Sequence, residues 1–334
     1  MTDHSSAKAV VRAFHAELDA AQGTEAAVLS AHVTPDYRWR GFHPFHELHG
    51  AEAVAEAFWR PLKSALTSMR RRPDIFFAGG NSLKDGAECW VVSMGHLMGL
   101  FDAPWLGIRP TRKIAMLRYC EFLRIEGDRI AESAMYFDIP HLMAQAGQDP
   151  FGPQTGAFLV QPGPATHDGL LFDPRPPEEG ARTQAAIDFM CNDISVWSGG
   201  RAEPLEEELR RSWQEGMVWW GPHGIGATYT IPRYALQHSG PFRQAFRDRT
   251  FNGHVARVAE GHYGGFFGWP NLTLHHKGGF MGMPATGLSG DMRVIDIYRR
   301  EGDKLAENWI FIDILHFWNM QGVDLLARAT EIGA

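Results

Sequence analysis

Two aspartates stand at matching points of a repeated phrase. Asp138 lies in "EGDRIAESAMYFDIPHLMAQAG" (126–147), and Asp313 lies in "EGDKLAENWIFIDILHFWNMQG" (301–322). Each follows an alternating, strand-like run and precedes a helical one. A carboxyl at the wall of an apolar pocket has a raised pKa, so it can take a proton from the carbon beside a carbonyl and return it elsewhere. Asp directly before a helix is also a preferred N-cap, and Pro140 suits a first helical turn. Both roles stay open for Asp138 and Asp313. Strand parity places Glu307, Trp309, Phe311 and Asp313 on one face, and Glu132, Tyr136 and Asp138 likewise.

Glu121 and Asp296 occupy matching positions on the preceding strand. Each could form a carboxylate pair with the Asp of its own copy, and two close carboxylates push their pKa values apart, giving one acid and one base. The alternative is an outward residue paired with Arg118, Arg124, Arg293 or Arg299. Arg118 and Arg293 are also candidate ligand contacts. His96 and His262, beside Gly95 and Gly261, could donate a hydrogen bond to a developing enolate oxygen, or could be half-buried and satisfied by backbone. Trp39, Trp219, Trp220, Trp309, Tyr136 and Phe311 suit the walls of a pocket for a flat ring, and suit an ordinary core equally.

The segment "HPFHELH" sets His43, His46 and His49 three residues apart. Metal sites use such clusters, but no Cys or fixed partner stands nearby and the second copy keeps only His223, so no metal is expected. Gly264-Gly265 and Gly278-Gly279 lack the strand–turn–helix context of a phosphate loop. Neither GxSxG nor a Walker pattern is present, and no cofactor is expected.

The elements that must position these residues come in the same order twice. "SSAKAVVRAFHAELDAAQ" has apolar residues at helical spacing. A helix near 24–33, a short strand at "DYRWRGF" and a helix at "GAEAVAEAFWRPLKSALTSM" follow, then strands near 72–79, 87–101, 113–126 and 129–138. The second half repeats this with helices near 181–197 and 203–211, a strand around 218–220 and a helix around 231–248. Strands near 251–264, 271–280, 291–300 and 304–313 follow, and a final helix spans 314–330. "WRGFH" (39–43) aligns with "WWGPH" (219–223), Pro61 with Pro241, and "GHLMGLFDAP" (95–104) with "GHYGGFFGWP" (261–270). Helices first and long antiparallel strands later indicate an α+β fold. The stretch 148–180 is rich in Pro and Gly, without periodicity, and reads as a linker. Its Phe151, Phe158, Leu159, Leu170, Leu171 and Phe172 imply that it packs on a domain surface. The domains expected are 1–147 and 181–334.

The run "MPATG…MRVIDIYRREGDKLAENWIFIDILHFWNMQG", with the aromatic-Gly element at Trp39 and Trp219/Trp220, resembles the SnoaL-like polyketide cyclase family of the nuclear-transport-factor-like fold. The resemblance implies tandem cone-shaped domains, each a curved, mostly antiparallel sheet packed on helices around an apolar pocket. It implies a pseudo-dimer within the chain, which could associate further as a homodimer. It also implies that Asp138 and Asp313 are acid/base groups of a cofactor-independent cyclase, isomerase or dehydratase acting on a small hydrophobic carbonyl compound. A non-catalytic small-molecule binder using the same pocket is the alternative. The first copy departs from the pattern at Ala134, where the second has Trp309, and at Arg112, where the second has Gly287. The second copy, with Pro284, Thr286, Glu307 and Trp309, is the one expected to be active.

Composition narrows the remaining classes. The 334 residues, 44% hydrophobic and 21% charged, suit about two globular domains. A net charge of −7 argues against nucleic acid as partner. Cys89, Cys120 and Cys191 form no CxxC pair, which suits a reduced cytoplasm. The N-terminal residues lack a signal-peptide pattern, and no apolar run is long enough to span a membrane.

Overall fold

The computed structural model describes residues 4–196 and 203–333. The chain forms two compact units. Unit 1 holds residues 1–150, 162–174 and 325–334, and unit 2 holds 151–161 and 175–324. The stretch 148–180 is therefore divided between the units, and the last ten residues belong with the first copy.

Unit 1 opens with α1 (Ser5–Ala20) and α2 (Glu25–His32), and α1 buries Val11, Phe14 and Leu18 along one face. Strands β1 (Val33–Gly41) and β2 (Glu47–His49) follow. Next come α3 (Ala51–Val54), a π-helical turn Ala55–Trp59 and α4 (Arg60–Ala65). Three long strands, β3 (Leu66–Gly80), β4 (Cys89–Phe101) and β5 (Ile114–Glu126), lead through the Gly127 turn into β6 (Arg129–Phe137) and α5 (Ile139–Gln145). The sheet order is β2-β1-β6-β5-β4-β3, antiparallel except where β1 runs parallel to β6.

Unit 2 repeats the plan with α6 (Pro177–Val196), α7 (Leu205–Arg210), β7 (Trp213–Trp220), β8 (Ala227–Tyr229) and α8 (Ile231–Tyr234). A second π-helical turn, Ala235–Ser239, leads into α9 (Gly240–Ala245). The remaining strands are β9 (Phe246–Phe251), β10 (Ala256–Glu260), β11 (Tyr263–His276), β12 (Ser289–Glu301) and β13 (Lys304–Ile312). Helix α10 (Ile314–Met320) closes unit 2, and α11 (Leu325–Glu331) completes unit 1. The sheet order is β10-β11-β12-β13-β7-β8, with β9 also on β11 and β13 parallel to β7. Each unit is thus a mixed α+β domain with its own sheet, as the repeat implies.

Several local expectations change, among them the helices expected through Met69 and residue 248, which end at Ala65 and Ala245, and the strand expected near 271–280, which is the later part of β11. The strand expected over 251–264 is broken: β10 ends at Glu260 and the chain reverses at Gly261-His262 before β11. The final helix is interrupted between Met320 and Leu325, where Gly322 takes φ +79°. The helix expected over 181–197 starts at Pro177, and Trp197 lies outside the described residues. The alignment of His96 with His262 also fails. Trp90 pairs with Arg124 as Tyr263 pairs with Arg299, so β11 begins where β4 does and His96 falls in the register of the Trp269–Asn271 bulge.

Candidate functional site

The hairpin β12–β13 sets which side chains meet. Glu301 pairs with Lys304 and Arg300 with Leu305, but Arg299 pairs with Glu307, so Ala306 is an extra residue in β13. Such a bulge reverses the parity of everything beyond it. Asp296 consequently pairs with Ile310, and Tyr298 with Asn308. These four, with Val294 and Ile312, share the face that lines a cavity of about 190 Å³ in unit 2. Trp309, Phe311 and Asp313 take the opposite face. Ala131 makes the same bulge between β5 and β6, so Glu121 pairs with Met135 and is on the opposite face from Tyr136 and Asp138. The expected carboxylate pairs do not form in either copy.

Asp313 is a fully buried N-cap: its Oδ1 accepts from the His316 backbone N–H at 3.2 Å, and Arg293 Nη1 lies 3.5 Å from Oδ2. Asp138 caps α5 in the same way through His141 N–H at 3.2 Å, with Arg118 3.8 Å away. Arg293 also stacks on the Trp269 ring at 3.8 Å. Neither aspartate, nor Arg293 or Arg118, is part of the cavity wall. His262 is half-exposed in its turn, 4.0 Å from Glu179, and His96 is buried 3.4 Å from Asp74. Trp39 packs on Phe58 and Phe137 in the core of unit 1. Tyr136 packs on Phe42 at 4.3 Å. Trp220 pairs with Trp309 on the face away from the cavity, and Trp219 alone of these tryptophans lines it.

Of the expected residues, the cavity thus brings together Asp296 and Trp219. The polar groups beside them come from elements whose chemistry the sequence did not advertise. Asn308 Nδ2 donates to Asp296 Oδ1 at 2.9 Å and orients the carboxylate. Tyr298 and Tyr234 have hydroxyl pKa values raised above the usual range, by burial first and then by the Asp296 charge. His238, at the fourth position of the π-helical turn, stacks on Trp219 with centroids 3.9 Å apart, and its buried Nδ1 has no hydrogen-bond partner among the described residues. Burial pushes its pKa down to about 3. His254 lies flat on Phe266, centroids 3.8 Å apart, and burial followed by Arg257 lowers it to about 3. Burial pushes the Cys191 thiol up to about 12 and the Arg249 guanidinium down to about 10. Arg243 is held by both oxygens of Glu208. Apolar walls come from Met190, Leu209, Trp213, Phe242, Phe251 and Met292.

Copy one carries bulkier or ion-paired side chains at the matching positions. Its π-helical turn ends on Trp59, buried, where the second ends on Ser239. Phe58 stands for His238 and Glu121 for Asp296. Glu121 meets His15 Nε2 at 3.0 Å and Arg71 at 3.8 Å, and the Arg71 guanidinium stacks over Tyr119 and Trp59. Tyr119 bonds Ser93 at 2.9 Å. Burial, then the Arg71 charge, lowers the His15 pKa.

A cone-like α+β domain with a polar group inside its sheet is a small-molecule-binding class of fold, here present twice. Residues 11–133 match the SnoaL-like domain model and residues 269–318 match the SnoaL-like polyketide cyclase model. The chain is a tandem SnoaL-like protein. Solved structures similar to it include a proposed SnoaL-like polyketide cyclase from Jannaschia sp. CCS1, with 19% identity, TM-score 0.35, and coverage of 42% of this chain and 91% of that one. IdmH, a proposed polyketide cyclase from Streptomyces antibioticus, has 15% identity, TM-score 0.34 and coverage of 41% and 96%. An NTF2-like protein from Burkholderia xenovorans LB400 has 12% identity, TM-score 0.33 and coverage of 42% and 97%. No curated protein matches the chain.

Proposed function

We propose that the second copy is a cofactor-independent acid/base enzyme, of cyclase or isomerase type, acting on a flat, largely apolar carbonyl compound. The observation that carries this reading is a buried carboxylate, Asp296, set by Asn308 on the wall of an otherwise aromatic and aliphatic cavity. A carboxylate in such surroundings gains from taking up a proton. Asp296 removes a proton from the carbon beside the substrate carbonyl, and the C–H electron pair moves to the oxygen as an enolate. In an isomerisation the same proton returns to a different carbon. In a cyclisation the enolate carbon attacks a second carbonyl, and the resulting alkoxide takes the proton back from Asp296. Trp213, Trp219, Phe242 and Phe266 give the cavity the aromatic walls that suit a ring. A cavity near 150 Å³ holds benzene, so about 190 Å³ suits one ring or a small fused pair.

The test is α-proton exchange of 1-indanone in D2O, followed by NMR. Wild type should exceed buffer, and Asp296→Asn should lower the enzymatic rate by about 10²–10⁴ while indanone still binds, as read by quenching of tryptophan fluorescence. Indanone bound by wild type with exchange no faster than buffer would make the cavity a binding site without this chemistry.

A further inference from the structure

The first copy runs β3 without interruption, whereas the second breaks the same strand into β9 and β10. The break, 252–255, turns at Gly253 with φ +101°, a value that suits Gly. It places His254 at the cavity wall. The imidazole lies nearly parallel to Phe266, with an interplanar angle of 10°. Phe266 is the cross-strand partner of Asp296, and such partners have Cβ atoms about 4.5–5.5 Å apart. The imidazole and the carboxylate therefore both adjoin Phe266 at the cavity wall.

Arg257 fixes the chemistry of this imidazole. Its Nε donates to His254 Nδ1 at 2.8 Å. Arginine has no acceptor, so Nδ1 must be the unprotonated nitrogen and the ring proton must sit on Nε2. Arg257 is itself anchored, its Nη1 donating to Asp188 Oδ1 at 2.7 Å. Asp188 also accepts from Gln184 at 2.9 Å. The chain Asp188–Arg257–His254 thus fixes a neutral imidazole with its N–H on the nitrogen left over for a ligand.

We propose that His254 Nε2–H is the electrophile of the site, donating a hydrogen bond to the substrate carbonyl oxygen while Asp296 handles the proton on carbon. The proposal rests on the acid/base reading above and adds a partner to it. A neutral imidazole keeps its proton in the resting site, so it polarises the oxygen without competing for the proton that Asp296 moves. The burial that keeps it neutral strengthens the bond it gives to the enolate. Arg257 is a positioning residue. The substrate class follows: a ketone whose carbonyl reaches Phe266 while the adjacent C–H faces Asp296.

Two measurements test this apart from turnover. Long-range 15N–1H correlation spectra of the free protein should show His254 as the Nε2–H tautomer, and Arg257→Met should give a mixture. An Nδ1–H tautomer in wild type would overturn the assignment. The infrared carbonyl stretch of 1-indanone bound to Asp296→Asn should lie below its value in an apolar solvent. It should return to that value in Asp296→Asn/His254→Phe, which keeps a ring on Phe266. An unchanged stretch on removing His254, with indanone still bound, would sink the proposal. With Asp296 intact, His254→Phe should lower exchange by about 10²–10³, the usual effect of losing one such donor. A His254-dependent stretch together with exchange indifferent to Asp296→Asn would retain the electrophile and reject the base.

Discussion

Replacing Trp59 by Ser imports into the first copy the residue that the second copy has at the same place. Trp59 is 1% exposed and ends the π-helical turn against Phe58, with ring centroids 4.9 Å apart. Truncating a buried aromatic costs about 3–5 kcal/mol. The Arg71 guanidinium, 5.6 Å from the Trp59 ring, loses one stacking wall but keeps Asp19 at 3.3 Å and Tyr119 at 5.0 Å. That limits the extra loss to the low end of a cation–π contact, about 0.5–1 kcal/mol. Water entering beside His15, Glu121 and Arg71 would pull the total down, because the walls of the hole are partly polar. The expected destabilisation is therefore about 3–5 kcal/mol, which for a unit of this size is a fall of about 6–20 °C in Tm. Thermal and urea unfolding followed by circular dichroism measure it. Indole should then stabilise the variant and not wild type, by about 2.7 kcal/mol at one hundred times its Kd. A loss under about 1 kcal/mol, with no indole effect, would show that Trp59 does not fill the first copy.

Further outcomes follow from the same geometry. Asp313→Asn, which keeps a capping oxygen, should leave indanone exchange unchanged; Asp313→Ala should leave it unchanged too but lose a further 0.5–2 kcal/mol or so of stability, measured by urea titration. A large drop in exchange with Asp313→Asn would return the chemistry to the cap. His238 and His254 have folded pKa values of about 3 against 6.5 when unperturbed. The unfolded chain therefore binds more protons between those limits, and stability falls as pH drops from about 6.5 towards 3. His238→Phe should flatten that slope by about one proton, and an unaltered slope would mean that His238 titrates alike in both states. Cys191, its thiol pushed up to about 12, should react with iodoacetamide at pH 8 many-fold more slowly than an unhindered cysteine. Alkylation at the rate of free cysteine would place it outside the cavity.

The sequence made the architecture readable because the repeat preserves what hairpins need. Gly127 and Gly302 turn the chain at φ +61° in both copies, and Asp138 and Asp313 cap the helices that follow. Trp39 and Trp219 keep the same register on the first strand of each copy, beside Ser133 and Asn308. The cavity was harder to read for a local reason. In a hairpin without a bulge, Asp296 and Asp313 share a face, and the carboxylate pair looks sound. Ala131 and Ala306 are ordinary strand residues to the eye, yet each shifts its strand by one and exchanges the two faces. His238 was hidden in what reads as a plain helix, since a π-turn has no sequence mark of its own. His254 is hidden in a run that reads as continuous strand, although Asn252-Gly253 is a breaker pair that marks the interruption.

Helix α11 carries a consequence for biosynthesis. It is made long after its partners. Gln148, buried in unit 1, donates to the Ala329 carbonyl at 2.8 Å, and Arg109 donates to the Thr330 carbonyl at 3.3 Å. Translation at about 5–20 residues per second separates Pro150 from Leu325 by roughly 10–35 s. A ribosome therefore releases a first copy that is nearly whole and must keep an unclosed seam while the entire second copy emerges. The first copy is begun before the second and completed after it, so a stop codon that removes α11 wounds the first copy and leaves the second whole.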